Sequence, residues 1–330
     1  FACYAALLEG REPALARSRP YEDYVAWLRR QDPGEAERFW RRTLDGFTTP
    51  TPLEMEPAAA GRGGHGHVDR LLGAELSAAL HAVARERQVT LNTVVQAAWA
   101  LLLSRYSGED DVVFGGIVSG RAAELEGVEG MVGLFINTLP VRVKVDPAEP
   151  VSAWLQRLQA DQVEARQYEH VSLVQVQGWS GVARGVPLFE SLLVFENHPA
   201  SAGAEDRRRA GLRMHSPIAI ESANAPLTLL VGPGARFRLV LRYYGQRFGA
   251  AGMERLLDHF EALLAGIAGD PSRPARDLSL LTEGERAELA AWNDTAHPYP
   301  RGRRVHELFE AQAERTPESV AAAFEDEALT

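Results

Sequence analysis

Apolar residues recur every three or four positions along several stretches of the chain, which is the spacing of one face of an α-helix. The stretch 91–106 (LNTVVQAAWALLLSRY) is apolar on nearly all sides, so we expect a helix buried in the core, with Thr90 as its N-cap. Residues 21–31, 35–44, 74–88 and 150–168 are further predicted helices. The strongest periodicity lies in a helix with the apolar face Met253, Leu256, Leu257, Phe260, Leu263, Leu264 and Ile267.

Other stretches carry apolar residues in short runs or at every second position, which is typical of β-strands. Residues 111–121 (DVVFGGIVSGR) predict a buried strand that runs out into a Ser-Gly-Arg turn, and residues 187–197 predict another. In residues 212–220 and 236–242, apolar side chains alternate with polar or basic ones. Together with the helices, these patterns predict a mixed α/β fold around a sizeable sheet.

Residues 132–142 (VGLFINTLPVR) are apolar enough to predict a buried strand, yet they include Asn137, Thr138, Pro140 and Arg142. One interpretation is that Asn137 and Thr138 form a turn at the strand end and that Arg142 is a surface charge. The other is that these polar side chains face a functional cleft. The residues alone leave both interpretations open.

Composition narrows the class of protein. The formal net charge of −10 over 330 residues argues against nucleic acid as the main partner, and the only dense basic run is 207–209. The single cysteine, Cys3, excludes an intramolecular disulfide, so we expect a reducing, cytoplasmic compartment. The most apolar stretch, 94–103, is too short to span a membrane. The chain begins with Phe1, so we expect it to be part of a longer polypeptide.

The nine histidines are the natural candidates for acid–base chemistry. His65 and His67 flank a glycine in a predicted linker, and no third ligand nearby favours a metal site. His81 and His259 are expected at the surface or boundary of helices. His170 follows a predicted helix, where a cationic side chain would suit the helix dipole. No nucleophile elbow, phosphate loop or paired-histidine metal motif is present.

Several stretches match motifs in a fixed order. Residues 21–27 (YEDYVAW) resemble Y-x-D-Y/F-x-x-W, and residues 132–142 resemble V-G-x-F-x-N-T-x-x-x-R. Residues 168–177 (YEHVSLVQVQ) and 185–197 (GVPLFESLLVFEN) follow at the expected spacing. This ordered series resembles the condensation domain of nonribosomal peptide synthetases. The second motif matches at Val132, Gly133, Phe135, Asn137, Thr138 and Arg142.

The chain departs from the family pattern at two points. The catalytic signature H-H-x-x-x-D-G is absent, and residues 65–69 (HGHVD) have neither its spacing nor its place. Tyr244 stands where many relatives carry Asp in L-x-Y-D. We therefore expect that the chain begins after the catalytic motif and that it makes no peptide bond alone.

The resemblance implies the chloramphenicol acetyltransferase-like fold, in which two lobes enclose a tunnel. It predicts that residues 1–55 end the N-lobe, 56–66 link the lobes and 67–268 form the C-lobe. Residues 269–304 would be a linker, and 305–330 the start of an adenylation domain.

The resemblance also implies acyl transfer between donor and acceptor carrier domains, with an adjacent adenylation domain in the same polypeptide. No cofactor would bind directly, because the phosphopantetheine arms belong to the carriers. The expected substrate-channel residues are Gly133, Asn137, Thr138, Arg142, Ser119 and Arg121. The alternatives are an epimerisation or heterocyclisation relative and a degenerate domain that recruits partner proteins.

Overall fold

The computed structural model of the chain describes residues 2–13, 18–53, 55, 64–121, 124–196, 225–298 and 301–330. The helices in these residues are α1 (Ala2–Leu8), α2 (Glu22–Leu28), α3 (Pro33–Thr43), α4 (Ala74–Glu86), α5 (Leu91–Ser107), α6 (Val151–Arg166), α7 (Leu173–Trp179), α8 (Ala250–Gly269), α9 (Glu283–Trp292) and α10 (Val305–Arg315). Short 3-10 turns lie at Val128–Gly130 and Ala275–Asp277.

The strands form a six-stranded mixed sheet and a separate two-stranded hairpin. The six strands are β1 (His65–Leu71), β2 (Asp111–Val118), β3 (Asn137–Lys144), β4 (Ser191–Phe195), β5 (Leu227–Gly232) and β6 (Arg238–Tyr244). Their order is β1-β6-β5-β4-β2-β3, and β4 runs parallel to both β2 and β5. The hairpin joins β7 (Ala322–Phe324) and β8 (Glu327–Leu329). The prediction of a mixed sheet flanked by helices is confirmed.

Side chains from the two faces of the sheet enter different clusters. Phe114 packs with α4, α5, α6 and α8 in the main core, whereas its neighbour Val113 packs with α3 and α7 on the other face. This alternation follows from the two-residue period of a strand. Helix α5 is buried from Thr93 to Ser104, and the Thr90 side chain accepts a hydrogen bond from the Thr93 N–H. The predicted core helix and its N-cap are both confirmed.

The stretch 132–142 is a strand only in its second half. β3 begins at Asn137, and the preceding Val132, Leu134 and Ile136 are 83%, 77% and 65% exposed. The expectation of a buried strand from residue 132 was therefore wrong, because this loop packs through Phe135 instead. β3 is an edge strand, which tolerates Pro140 because part of its backbone has no neighbouring strand to bond.

The chain divides into two compact units, Phe1–Thr282 and Glu283–Thr330. The beginning of the predicted linker belongs to the first unit. The Ala275 N–H donates to the Glu149 carbonyl oxygen at 3.0 Å, and Ala275 and Leu278 are buried in the main core. The second unit contains α9, α10 and the hairpin. The division of residues 1–268 into two lobes stays a prediction.

Two histidine assignments need correction. His259 is 7% exposed, and its Nδ1 lies 2.8 Å from the Tyr106 hydroxyl, so it is a core residue. His65 lies in β1 and not in a linker, with its ring edge-on to Tyr244, and the strand continues through His67. The stretches 56–63, 207–209 and 212–220 lie outside the described residues. Among the helices that are described, none has both the length and the apolarity to cross a bilayer.

Candidate functional site

A cleft of about 660 Å³ opens in the first unit, where the end of β2 meets the start of α5 and the end of α6. Its wall carries residues from separate parts of the chain that the motifs had singled out. The turn after β2 supplies two of the predicted channel residues, and the turn after α6 supplies charged groups. The wall includes Trp27, Ser119, Arg121, Glu124, Glu169 and His170.

The turn after β2 is fixed by close backbone packing. Gly120 has a φ of +63°, and a Cβ atom there would lie 1.8 Å from the Phe135 carbonyl oxygen. Only glycine fits this combination of left-handed backbone and close approach. Phe135 is itself buried, with its ring 5.1 Å from Tyr21 and 4.6 Å from Tyr24. The cleft wall at Ser119 therefore rests on an aromatic cluster.

Arg121 lines the cleft but directs its guanidinium into the loop. Its Nη1 donates to the carbonyl oxygens of Val128 and Met131, and the group lies 4.2 Å from the Phe135 ring centroid. These contacts hold the loop between β2 and β3 against the aromatic cluster. Part of the Arg121 guanidinium is therefore bonded within the protein and is not available to a ligand.

Asn137 holds the turn between α6 and α7. Its Nδ2 donates to the Glu169 and Val171 carbonyl oxygens at 2.8 and 2.6 Å, and its Oδ1 accepts from the Thr138 N–H at 2.9 Å. An asparagine amide has two N–H donors, so both are used here. Among the described residues, those that line the cleft do not include Asn137 or Thr138. The amide fixes the position of Glu169 and His170 instead.

Arg142 ties β3 to the segment after α3. Nε and Nη2 donate to the two carboxylate oxygens of Asp111 at 2.9 and 2.6 Å, and Nη1 donates to the carbonyl oxygens of Thr43 and Asp45. The Arg142 side chain is 8% exposed, so it is not a surface charge. Such bidentate pairing is both strong and geometrically specific. It joins residues near 43–45 to the sheet.

Gly133 makes a second junction with the N-terminal part of the chain. A Cβ atom at this position would lie 2.1 Å from the Tyr21 ring. The Tyr21 hydroxyl donates to the Leu134 carbonyl oxygen immediately beyond it. Gly133 is therefore required for the close contact between α2's leading turn and the loop.

Two titratable residues in the cleft wall have shifted pKa values. Burial raises the pKa of the Glu169 carboxyl, while the charge of Arg166 and the N–H of Gly120 act in the opposite direction. Burial lowers the pKa of His170, whose ring lies edge-on to Trp27 with centroids 5.5 Å apart. This favours the neutral imidazole over the cationic cap expected from the sequence.

Sequence reasoning overlooked Glu169. Perturbed carboxylates in a cleft are frequent at functional sites, but the perturbation arises only from the folded structure. The available signal was the position of YEH, residues 168–170, between the end of one predicted helix and the start of the next. In the described ranges, no three His, Cys, Asp or Glu side chains gather in a way that could hold a metal ion.

Comparison with known proteins relates the chain to one family. The family model described as Condensation domain matches residues 1–290. One protein of the linear gramicidin synthase of Brevibacillus parabrevis is 44% identical over 335 residues, which is 100% of this chain and 4% of that protein. The chain therefore spans a small part of this long relative.

Two groups of solved structures share the fold. The first condensation domain of the CDA synthetase matches with a TM-score of 0.69 and 19% identity, over 85% of this chain and 62% of that one. The X-domain in its complex with OxyB from teicoplanin biosynthesis matches with a TM-score of 0.67 and 25% identity, over 86% of this chain and 65% of that one.

Proposed function

Because the chain belongs to the condensation-domain family, we propose that it forms one wall of a peptide-bond-forming site in a nonribosomal peptide synthetase. In this reaction the amine of an acceptor aminoacyl group attacks the carbonyl carbon of a donor thioester. An amide C–N bond forms, the C–S bond breaks, and the amine's proton is lost as the carrier thiol is released.

The observation that carries the proposal is the cleft. Residues 119–121 come from one stretch of the chain, Glu169 and His170 come from another, and they meet at one wall. Amine and thioester must be held about 3–3.5 Å apart for efficient attack, so the wall needs a fixed shape. The anchors at Gly120, Asn137 and Arg142 supply that rigidity.

The predicted channel residues take two roles in this proposal. Ser119 and Arg121 contribute to the wall itself. Gly133, Asn137 and Arg142 hold neighbouring segments in place through Tyr21, the turn after α6 and residues 43–45, and the Thr138 N–H donates to the Asn137 amide oxygen. None of them is proposed to exchange protons with the substrate. The histidine motif of the family would come from outside this chain, so the chain alone would not catalyse condensation.

The partners follow from the same proposal. Both substrates would arrive on phosphopantetheine arms of carrier domains, and an adenylation domain would follow in the same polypeptide. The second compact unit, Glu283–Thr330, is where we place the connection and the start of that domain.

A recruiting domain is the second candidate function. The observation in its favour is the similarity to the X-domain, which was solved in complex with OxyB. A chain of this kind would bind a partner protein and form no peptide bond. The epimerisation and heterocyclisation relatives would share the fold and differ in the product.

A chimeric protein distinguishes these functions. The chain replaces the matching 335-residue stretch of the linear gramicidin synthase protein, and loaded donor and acceptor carriers are supplied. Condensation predicts a new peptidyl thioester by mass spectrometry with the chimera and none with the isolated chain. A folded chimera that forms no peptide would contradict the proposal. An epimerised donor or a heterocyclic product would identify the corresponding relative.

A further inference from the structure

Glu169 occupies a defined position in the cleft wall. It lies in the turn between α6 and α7, is half-buried, and lines the cleft beside His170. A carboxylate that is withdrawn from water in this way costs free energy unless polar partners replace the lost water.

Contacts from another segment fix the backbone that carries this carboxylate. The Asn137 amide donates to the backbone carbonyl oxygens of Glu169 and Val171 at 2.8 and 2.6 Å, and these bonds fix the backbone of the turn. The backbone N–H of Gly120 lowers the pKa of the Glu169 carboxyl, against the larger effect of burial. Because a Cβ atom at Gly120 would collide with the Phe135 carbonyl oxygen, that N–H is itself held in place.

The carboxylate retains acceptor capacity toward the cleft. An ionised carboxylate offers about four lone-pair sites, which is more than one backbone N–H can use. The Nη1 of Arg121 is directed to the loop carbonyls of Val128 and Met131. A ligand that brings N–H donors with positive charge would satisfy Glu169 best, since charge-assisted hydrogen bonds are the stronger ones.

We propose that Glu169 binds the α-amino group of the acceptor aminoacyl substrate, and that Asn137 is a positioning residue that holds Glu169 for this contact. The inference rests on the proposed function, because condensation requires an acceptor that carries a free amine. It adds a recognition group for that amine within this chain.

The test compares two small acceptor mimics. Leucyl N-acetylcysteamine thioester carries the amine, and the 2-hydroxyisocaproyl thioester has a hydroxyl in its place. Their dissociation constants are measured by calorimetry at pH 7, where an α-amino group with a pKa of about 7.7–8.0 is mostly protonated. Both the chimera and the 330-residue chain are used, because the described cleft lies within this chain.

We expect wild-type protein to prefer the amine about tenfold, and Glu169→Gln to bind both mimics alike. Glu126→Gln is the matched control, since Glu126 is an exposed glutamate that does not line the cleft, and it should keep the preference. Asn137→Ala should reduce the preference even where it stays folded. The ratio of the two dissociation constants measures the preference directly, because partial unfolding weakens the binding of both mimics equally.

Other outcomes overturn the inference. The inference is wrong if the wild-type protein binds the two mimics equally or binds neither of them. It is also wrong if Glu169→Gln keeps the preference for the amine. If the chimera forms peptide yet shows no preference, the inference fails and the proposed function stands. If the preference is present but no peptide forms, the proposed function fails and Glu169 remains an amine-binding group.

Discussion

Replacing Arg142 with alanine should destabilise the first unit severely. The change removes four hydrogen bonds from a guanidinium that is 8% exposed, and it leaves Asp111 without its cation. Removing one partner of a buried ion pair costs about 3–5 kcal/mol. Asp111 is 37% exposed, so water can solvate the carboxylate that remains, and we expect the lower end, about 3 kcal/mol.

The assay is urea and thermal unfolding of the chain, followed by circular dichroism. For the unit Phe1–Thr282, about 3 kcal/mol corresponds to a decrease in melting temperature of roughly 5 °C. Arg142→Lys should fall between wild type and alanine, because a lysine ammonium cannot bind the carboxylate bidentately.

Arg238→Ala is the matched control. Arg238 also pairs with an aspartate, Asp69, between neighbouring strands of the same sheet, but the two side chains are 63% and 40% exposed. Exposed pairs contribute about 0–1 kcal/mol. Equal losses of stability in Arg142→Ala and Arg238→Ala, within about 0.5 kcal/mol, would refute the view that burial makes the Arg142 junction important.

Three further predictions concern packing, titration and domain structure. Gly133→Ala should lower stability by about 1–3 kcal/mol, since its Cβ would overlap the Tyr21 ring, whereas Gly130→Ala, which has open space, should be nearly neutral in the same unfolding assay. Because the pKa of His170 is lowered in the folded chain, His170 is protonated at a higher pH in the unfolded chain than in the folded one. The unfolding free energy should therefore decline below about pH 6.5, and it should decline less steeply in His170→Asn. The same dependence on pH in the wild type and in His170→Asn would contradict this prediction. Deleting Glu283–Thr330 should leave the main thermal transition unchanged, and a large decrease would show that the two units stabilise each other.

The parts of the fold that sequence could predict depend on local periodicity. The apolar faces of α5 and α8 are encoded within single helices, and their burial follows from spacing alone. The N-cap at Thr90 is also local, because its partner is three residues away. The ordered motifs then identified the family without knowledge of the contacts.

The architecture of the site depends on distant partners. Asn137 bonds to carbonyl groups 32 and 34 residues further on, and Arg142 bonds to carbonyl groups 99 and 97 residues earlier. No pattern within residues 132–142 specifies those contacts. The exposure of Val132 and Leu134 was missed for a related reason, since hydrophobicity alone does not show that Phe135 takes the buried position.

The central claim is that the cleft beside Ser119 is where the acceptor and donor groups meet. Its most direct test is the single-turnover rate of peptidyl thioester formation by the chimera carrying Ser119→Trp. Ser119 is exposed and lines the cleft, so a tryptophan there should obstruct the cleft without unfolding the protein. Ala160→Trp, at an exposed position of α6, is the control.

We predict that Ser119→Trp slows peptide formation by about tenfold or more, with melting temperature unchanged, because small displacements of reacting groups are costly. The Ala160→Trp variant should react at the wild-type rate. Peptide formation at the wild-type rate in a folded Ser119→Trp chimera would contradict the assignment of the reaction to this cleft.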